Sequence, residues 1–196
     1  MLLRSSDLVA GFKASRPADD GSDPYCKALD ESDLTLTGDS ESPDFTAAGT
    51  LVSSTAQLYR TVADANASWR RGTSAAGVRC LRAGMRAALK EEKGRLTSLR
   101  KLTFPKLAAD RAVEFRAVAR IGKVRLHFDF VILQRLRAQA ALLVSSDATL
   151  PRSQSVALAG TIAGRMRRAL ADEVPQAQPA AAFAGPPSPG VMIPVS

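Results

Sequence analysis

Residues 112–145 read AVEFRAVARIGKVRLHFDFVILQRLRAQAALLVS, and this stretch decides the fold class. Val113, Phe115, Ala117 and Ala119 alternate with Glu114, Arg116, Val118 and Arg120, the period of an extended strand over 112–121. Gly122 supplies a turn. Residues 123–131 then alternate strictly, Val124, Leu126, Phe128 and Phe130 against Lys123, Arg125, His127 and Asp129. A further strand over 137–145 adds Ala138, Ala140, Leu142 and Val144 to the apolar side. Short connections between such strands predict an antiparallel meander with one apolar face.

Working outward, residues 96–104 read as a strand ending at Pro105, and 74–93 as a helix with Val78, Leu81, Met85 and Leu89 on one stripe. Thr61 caps a preceding helix, whose Val62, Ala65 and Trp69 recur on one face and which Gly72 breaks. Residues 34–38 and 50–60 alternate and are expected to pair as a loose hairpin across a loop holding Pro43 and Gly49. A serine-capped short helix is expected over 5–12, followed by a polar loop over 15–33. Pro151 and Ser153 open a closing helix to about residue 171, with Val156, Ala159, Ile162, Met166 and Leu170 on its buried side. This order predicts an α+β fold, an antiparallel β-sheet of about five to six strands packed against helices as a layered sandwich. The 196 residues, 45% hydrophobic, suit one domain over 1–172, with a Pro/Ala-rich tail over 173–196 expected to be disordered.

The net charge of +8 is unevenly placed: residues 1–50 carry −6 and the remainder +14. An acidic segment folded beside a basic body neutralises part of its field internally, so the net charge overstates what a phosphate backbone would meet. The alternative reading is an intracellular basic protein that associates with nucleic acid through the arginines of residues 70–125 and 165–168, but few aromatic residues are free to stack on bases, which disfavours it. No apolar run reaches the length of a transmembrane helix, and the opening MLLRSSDLVAGF lacks a signal-peptide core. Two expectations remain open: a cytoplasmic chain, or one that begins after a removed signal, lipid anchor or membrane span.

The two cysteines, Cys26 and Cys80, would close a loop of 54 residues if bonded; the alternative is a pair of buried free thiols. Cys26 follows Asp23-Pro24 in an acidic, loop-like segment where a lone thiol would be exposed to oxidation, which favours the bond and an extracytoplasmic location. With one histidine and no CxxC, too few ligands exist for a metal site, and no cofactor is expected. GxSxG, P-loop, GxGxxG and HExxH motifs are absent, and His127 stands outward between Arg125 and Asp129. Enzymatic activity is therefore not expected. The best candidate site is a polar wall of Arg116, Arg125, His127, Asp129 and Gln139 on the sheet face opposite the core, suited to an anionic ligand wherever helices leave it open.

Several landmarks occur together: Leu2, Leu3, Asp7 and Leu8 at the opening, Asp23-Pro24 before Cys26, the strand TLVSSTAQLYR, the helix TVADANASWRR, Cys80 at the start of the next helix, and a final strand and helix. In these the chain resembles the extracytoplasmic sensor-domain family of actinobacterial Ser/Thr protein kinases (PknH-like) and related lipoproteins with a PsbP-like α/β/α sandwich. The resemblance implies an exported module, a Cys26–Cys80 disulfide, and a cleft that binds a small ligand without catalysis. The family commonly carries a second disulfide, for which this chain has no cysteines. The expected partner is accordingly an unidentified small ligand or cell-envelope component, with any membrane attachment made through an anchor outside this sequence.

Overall fold

Eight antiparallel strands and three α-helices build the protein in a computed structural model that describes residues 1–17 and 26–173. In chain order they are β1 (Lys13–Ser15), β2 (Leu36–Glu41), β3 (Asp44–Ala47), β4 (Thr50–Tyr59), α1 (Val62–Thr73), α2 (Ala75–Glu91), β5 (Gly94–Thr103), β6 (Arg111–Ile121), β7 (Val124–Arg135), β8 (Ala138–Ser146) and α3 (Arg152–Ala169). The sheet order is β1-β3-β4-β8-β7-β6-β5, with β2 also paired to β4. The fold is α+β, as its alternating strands predict. The sheet, however, has more strands than the five to six expected, and of the tail over 173–196 only Glu173 lies within the described residues, where it pairs with Arg137.

Helices cover both faces. Leu158, Ala159, Ile162, Ala163 and Met166 of α3 pack on Val52, Ala56, Val131, Leu133, Ala140, Leu142 and Val144. On the other face, Trp69 of α1 and Val78, Leu81 and Met85 of α2 pack on Leu99, Val113, Phe115 and Ala117. A fully buried aliphatic or aromatic side chain contributes about 1.5–3 kcal/mol, which holds α3 firmly through Leu158, Ile162 and Met166, whereas the side chains that seat α1 and α2 are partly buried and contribute less each. The expectation of a single apolar face is corrected here. Because β7 is sandwiched, its run Phe130-Val-Ile-Leu133 is apolar on both sides.

The extra strands come from the N-terminal third. A helix over 5–12 was expected, but only one 3-10 turn forms, Ser5–Asp7, started by Arg4 rather than by a serine. So short a segment cannot repay helix nucleation, and the chain turns at Gly11 (φ 105°) to pair β1 with β3. The hairpin is also tighter than expected. β2 and β3 are one strand interrupted at Ser42-Pro43, and both pair with β4. Pro43 has no N–H to offer; Ser42 donates its N–H to Ser54 O and accepts the Ser54 N–H on its hydroxyl, which restores the ladder. Ala48 and Gly49, both at positive φ (43° and 74°), make the turn. A Cβ at Gly49 would lie 2.5 Å from the Asp147 carboxylate, so a side chain there would displace Asp147 as well as strain the positive φ.

Thr61 caps α1 by accepting the Asp64 N–H, as its sequence predicts. Gly72 does not end that helix. It runs to Thr73, and Ser74 both closes it and caps α2 by accepting the Gly77 N–H. Val62 is exposed, and Ser68 takes its place with Ala65 as the buried residue of α1.

Cys26 and Cys80 form a disulfide with Cα atoms 6.0 Å apart. It ties the 3-10 turn Lys27–Leu29 to α2. The same segment is held by Arg71, which forks onto both Asp33 carboxylate oxygens at 2.6 Å and donates to Asp30 O. Asp23-Pro24 lie outside the described residues. Among the described residues, no helix is long and apolar enough to cross a membrane.

Candidate anion-binding face

The candidate residues on β6 and β7 are set by register. Arg116 pairs with Asp129, Val118 with His127, and Arg120 with Arg125. Side chains alternate along each strand, so Glu114, Arg116, Val118 and Arg120 share a face with Arg125, His127, Asp129 and Val131. It is the face that α3 packs on, since Val131 and Leu133 lie in the α3 core. The polar wall is thus not opposite the core: α3 covers one end of its face and leaves the other open.

At the covered end two carboxylates are buried, Glu114 (0% exposed) and Asp129 (1%). Each meets an arginine. Arg116 donates to both Asp129 oxygens, Nε to Oδ1 at 2.7 Å and Nη2 to Oδ2 at 2.8 Å. Ser155 of α3 donates its hydroxyl to Asp129 Oδ2 at 2.6 Å. Arg152, at the start of α3, donates Nε to Glu114 Oε2 at 2.8 Å and an Nη2 proton to Thr103 O. Glu114 Oε1 lies 3.3 Å from Arg116 Nη2. Hydrogen bonding to Asp129 raises the Arg116 pKa above its ordinary value, against partial burial, with the charges of Asp129 and Glu114 adding to the rise. A buried carboxylate is tolerable only when paired and hydrogen-bonded, and here both pairings clamp the first turn of α3 to the sheet.

The open end differs. Arg120 and Arg125 are exposed, and β5 brings Arg95 opposite Arg120 and Arg100 opposite Arg116. None of Arg95, Arg100, Arg120 and Arg125 forms an ion pair or side-chain hydrogen bond among the described residues. His127 is half-buried between the two ends, in register with Val118 on one side and Ser146 on the other. Its side chain makes no hydrogen bond among the described residues. The Ser155 hydroxyl is committed to Asp129, so Ser155, His127 and Asp129 do not assemble as a nucleophile, base and orienting acid.

Gln139 belongs elsewhere. It projects to the opposite face, where its Nε2 donates to Ala65 O at 2.6 Å and its Oε1 accepts from Ser68 at 3.3 Å. Ser68 also accepts the Tyr59 hydroxyl, whose further contacts are Glu31 and Gln57. This buried group seats α1 on the sheet. The structure therefore brings Arg116, Arg125, His127 and Asp129 together and excludes Gln139. Residues not singled out from the sequence are Glu114, Arg152 and Ser155 at the covered end and Arg95, Arg100 and Arg120 at the open end. Arg120 and Arg125 flank the Gly122-Lys123 turn symmetrically, a pairing signal within the hairpin itself. Arg152 and Ser155 carry no local signal.

No protein-family model matches the chain, and no curated protein matches it.

Proposed function

We propose that the protein is an exported, non-enzymatic ligand-binding module of the sensor-like kind, related to the extracytoplasmic sensor-domain family that its sequence resembles. The observation that carries this reading is the Cys26–Cys80 disulfide, because such bonds form and persist in oxidising compartments. The recognition surface is the open end of the α3 face, around Arg125 and His127, where the guanidinium groups of Arg95, Arg100, Arg120 and Arg125 have no ion-pair partner among the described residues and favour an anion. Support for a binding rather than catalytic role comes from the commitment of Ser155 and both buried carboxylates to structural pairings.

Export is tested by alkylating the native protein from its own cells, under acid quench, before and after reduction. Two alkyl groups should add only after reduction; two thiols free in the cell overturn export. Binding is tested by thermal unfolding against a panel of small anions. A ligand at about ten times its Kd stabilises by about 1.4 kcal/mol, which raises Tm by about 3–5 °C. If no anion shifts Tm, the binding role is overturned.

A further inference from the structure

Resting on the binding-module reading, we propose that the open end of this face binds a chain of linked phosphates. Arg95, Arg120 and Arg125 stand in one cross-strand row, since Arg95 is in register with Arg120 and Arg120 with Arg125. Arg100 and Arg116 form a second row, with Ser98, Val118 and His127 between the two. Neighbouring strands lie about 4.8 Å apart, so the first row spans about 10 Å, and four residues along a strand put the second about 13 Å away. Lys93, Arg95 and Arg120 also line a groove of about 470 Å³ that continues the first row beyond the strand ends.

Like charges directly opposite one another destabilise a sheet. Three arginines abreast are a cost that no ion pair among the described residues offsets: Asp129 is taken by Arg116 and Ser155, and Glu114 by Arg152. Glu91 and Glu92 end α2, which packs on the other face. An anion offsets the repulsion. A guanidinium fork accommodates two phosphate oxygens at once. Linked phosphates carry charge on every unit and so meet all three arginines of a row, whereas a lone phosphate or carboxylate meets one pair. Neither row holds an aromatic ring for bases to stack on, which sets this ligand apart from single-stranded nucleic acid.

The test is calorimetric titration of the whole protein with inorganic tripolyphosphate, orthophosphate, citrate and a DNA duplex. Tripolyphosphate should bind at least about tenfold more tightly than orthophosphate or citrate, and Arg120→Gln/Arg125→Gln should cost at least about tenfold of that affinity. The comparison variant Arg79→Gln/Arg86→Gln removes the same charge from exposed positions of α2 and should leave affinity within about twofold. Because the row arginines repel, Arg120→Gln/Arg125→Gln should melt no lower than the wild type, so a loss of affinity cannot be a loss of folding. Citrate binding as tightly as tripolyphosphate overturns the phosphate assignment and leaves the binding module standing. Absence of binding by any anion overturns both. Equal losses in the two variants reduce the effect to net charge and overturn the site. Tighter, steeply salt-dependent binding to the duplex overturns the proposal in favour of nucleic acid.

Discussion

Replacing both cysteines by serine should lower the stability of the folded protein by about 4 kcal/mol without changing its structure. The figure comes from the 54-residue separation of Cys26 and Cys80: a cross-link closing a loop of that length removes about 14 cal/mol/K of entropy from the unfolded chain. The native segment has other attachments, the Arg71 fork onto Asp33 and Asp30 O and the Tyr59 hydroxyl on Glu31, so it should stay docked once the sulfurs are gone. The loss therefore lies in the unfolded ensemble. Urea unfolding followed by circular dichroism measures it. With a slope of about 2 kcal/mol per molar, the midpoint of Cys26→Ser/Cys80→Ser should fall by about 2 M relative to the oxidised protein, and reduced wild type should coincide with the variant. Domains of ordinary stability hold about 5–15 kcal/mol, so the variant remains folded in buffer. A midpoint shift below about 0.5 M would refute the loop-closure reasoning. A changed native spectrum would refute the claim that Arg71 and Tyr59 suffice to dock the segment.

Ser155→Ala removes a charge-assisted hydrogen bond from buried Asp129 and should cost about 1.5–3 kcal/mol, read as a Tm lowered by about 3–12 °C; an unchanged Tm would mean that α3 is held by its apolar contacts alone. Burial raises the Tyr59 pKa above its ordinary value of 10, with Glu31 adding to the rise and the Ser68 hydrogen bond opposing it. The native state thus keeps a proton that the unfolded state gives up, so stability should fall as pH rises past about 10, and Tyr59→Phe should flatten that fall in alkaline urea titrations. At the other extreme, burial acts to raise Asp7, but hydrogen bonds from Arg165 and the Arg4 N–H outweigh it and hold the carboxyl below its ordinary 3.8. Its contribution is complete above the unfolded value and is lost as pH falls through the lower native one. Asp7→Asn should therefore abolish part of the acid-side slope of Tm, and an unaltered slope would rule the pair out as its source.

The meander of β6, β7 and β8 was legible because period-two alternation, the Gly122 turn and short connections agree there. The Thr61 cap was legible for a similarly local reason. The placement of polar residues on a face was not. In β7 the alternate residues Val124, Leu126, Phe128 and Phe130 lie on the face that α1 and α2 pack on, whereas Ala138, Ala140, Leu142 and Val144 of β8 face α3, so the expected apolar sides of two adjacent strands lie on opposite faces. Alternation within a strand says nothing about which layer each side meets. Gln139 was misplaced on that account, and buried Glu114 and Asp129 read as solvent-facing because α3, which covers them, is supplied by a later part of the chain. β1 was hidden for a related reason: three residues with exposed side chains form a strand only because β3 offers them a free edge.

The last strand of the sheet, β5, has no partner on its outer side among the described residues. Bare strand edges are templates for other chains. Here the register shifts between Leu96 and Ser98, which breaks the regular spacing of the unpaired amides. Arg95, Arg100 and Lys101 are exposed along the same strand. A second copy approaching in register would meet both an interrupted ladder and its own charge, so the edge is poorly suited to recruiting another strand into a growing fibril.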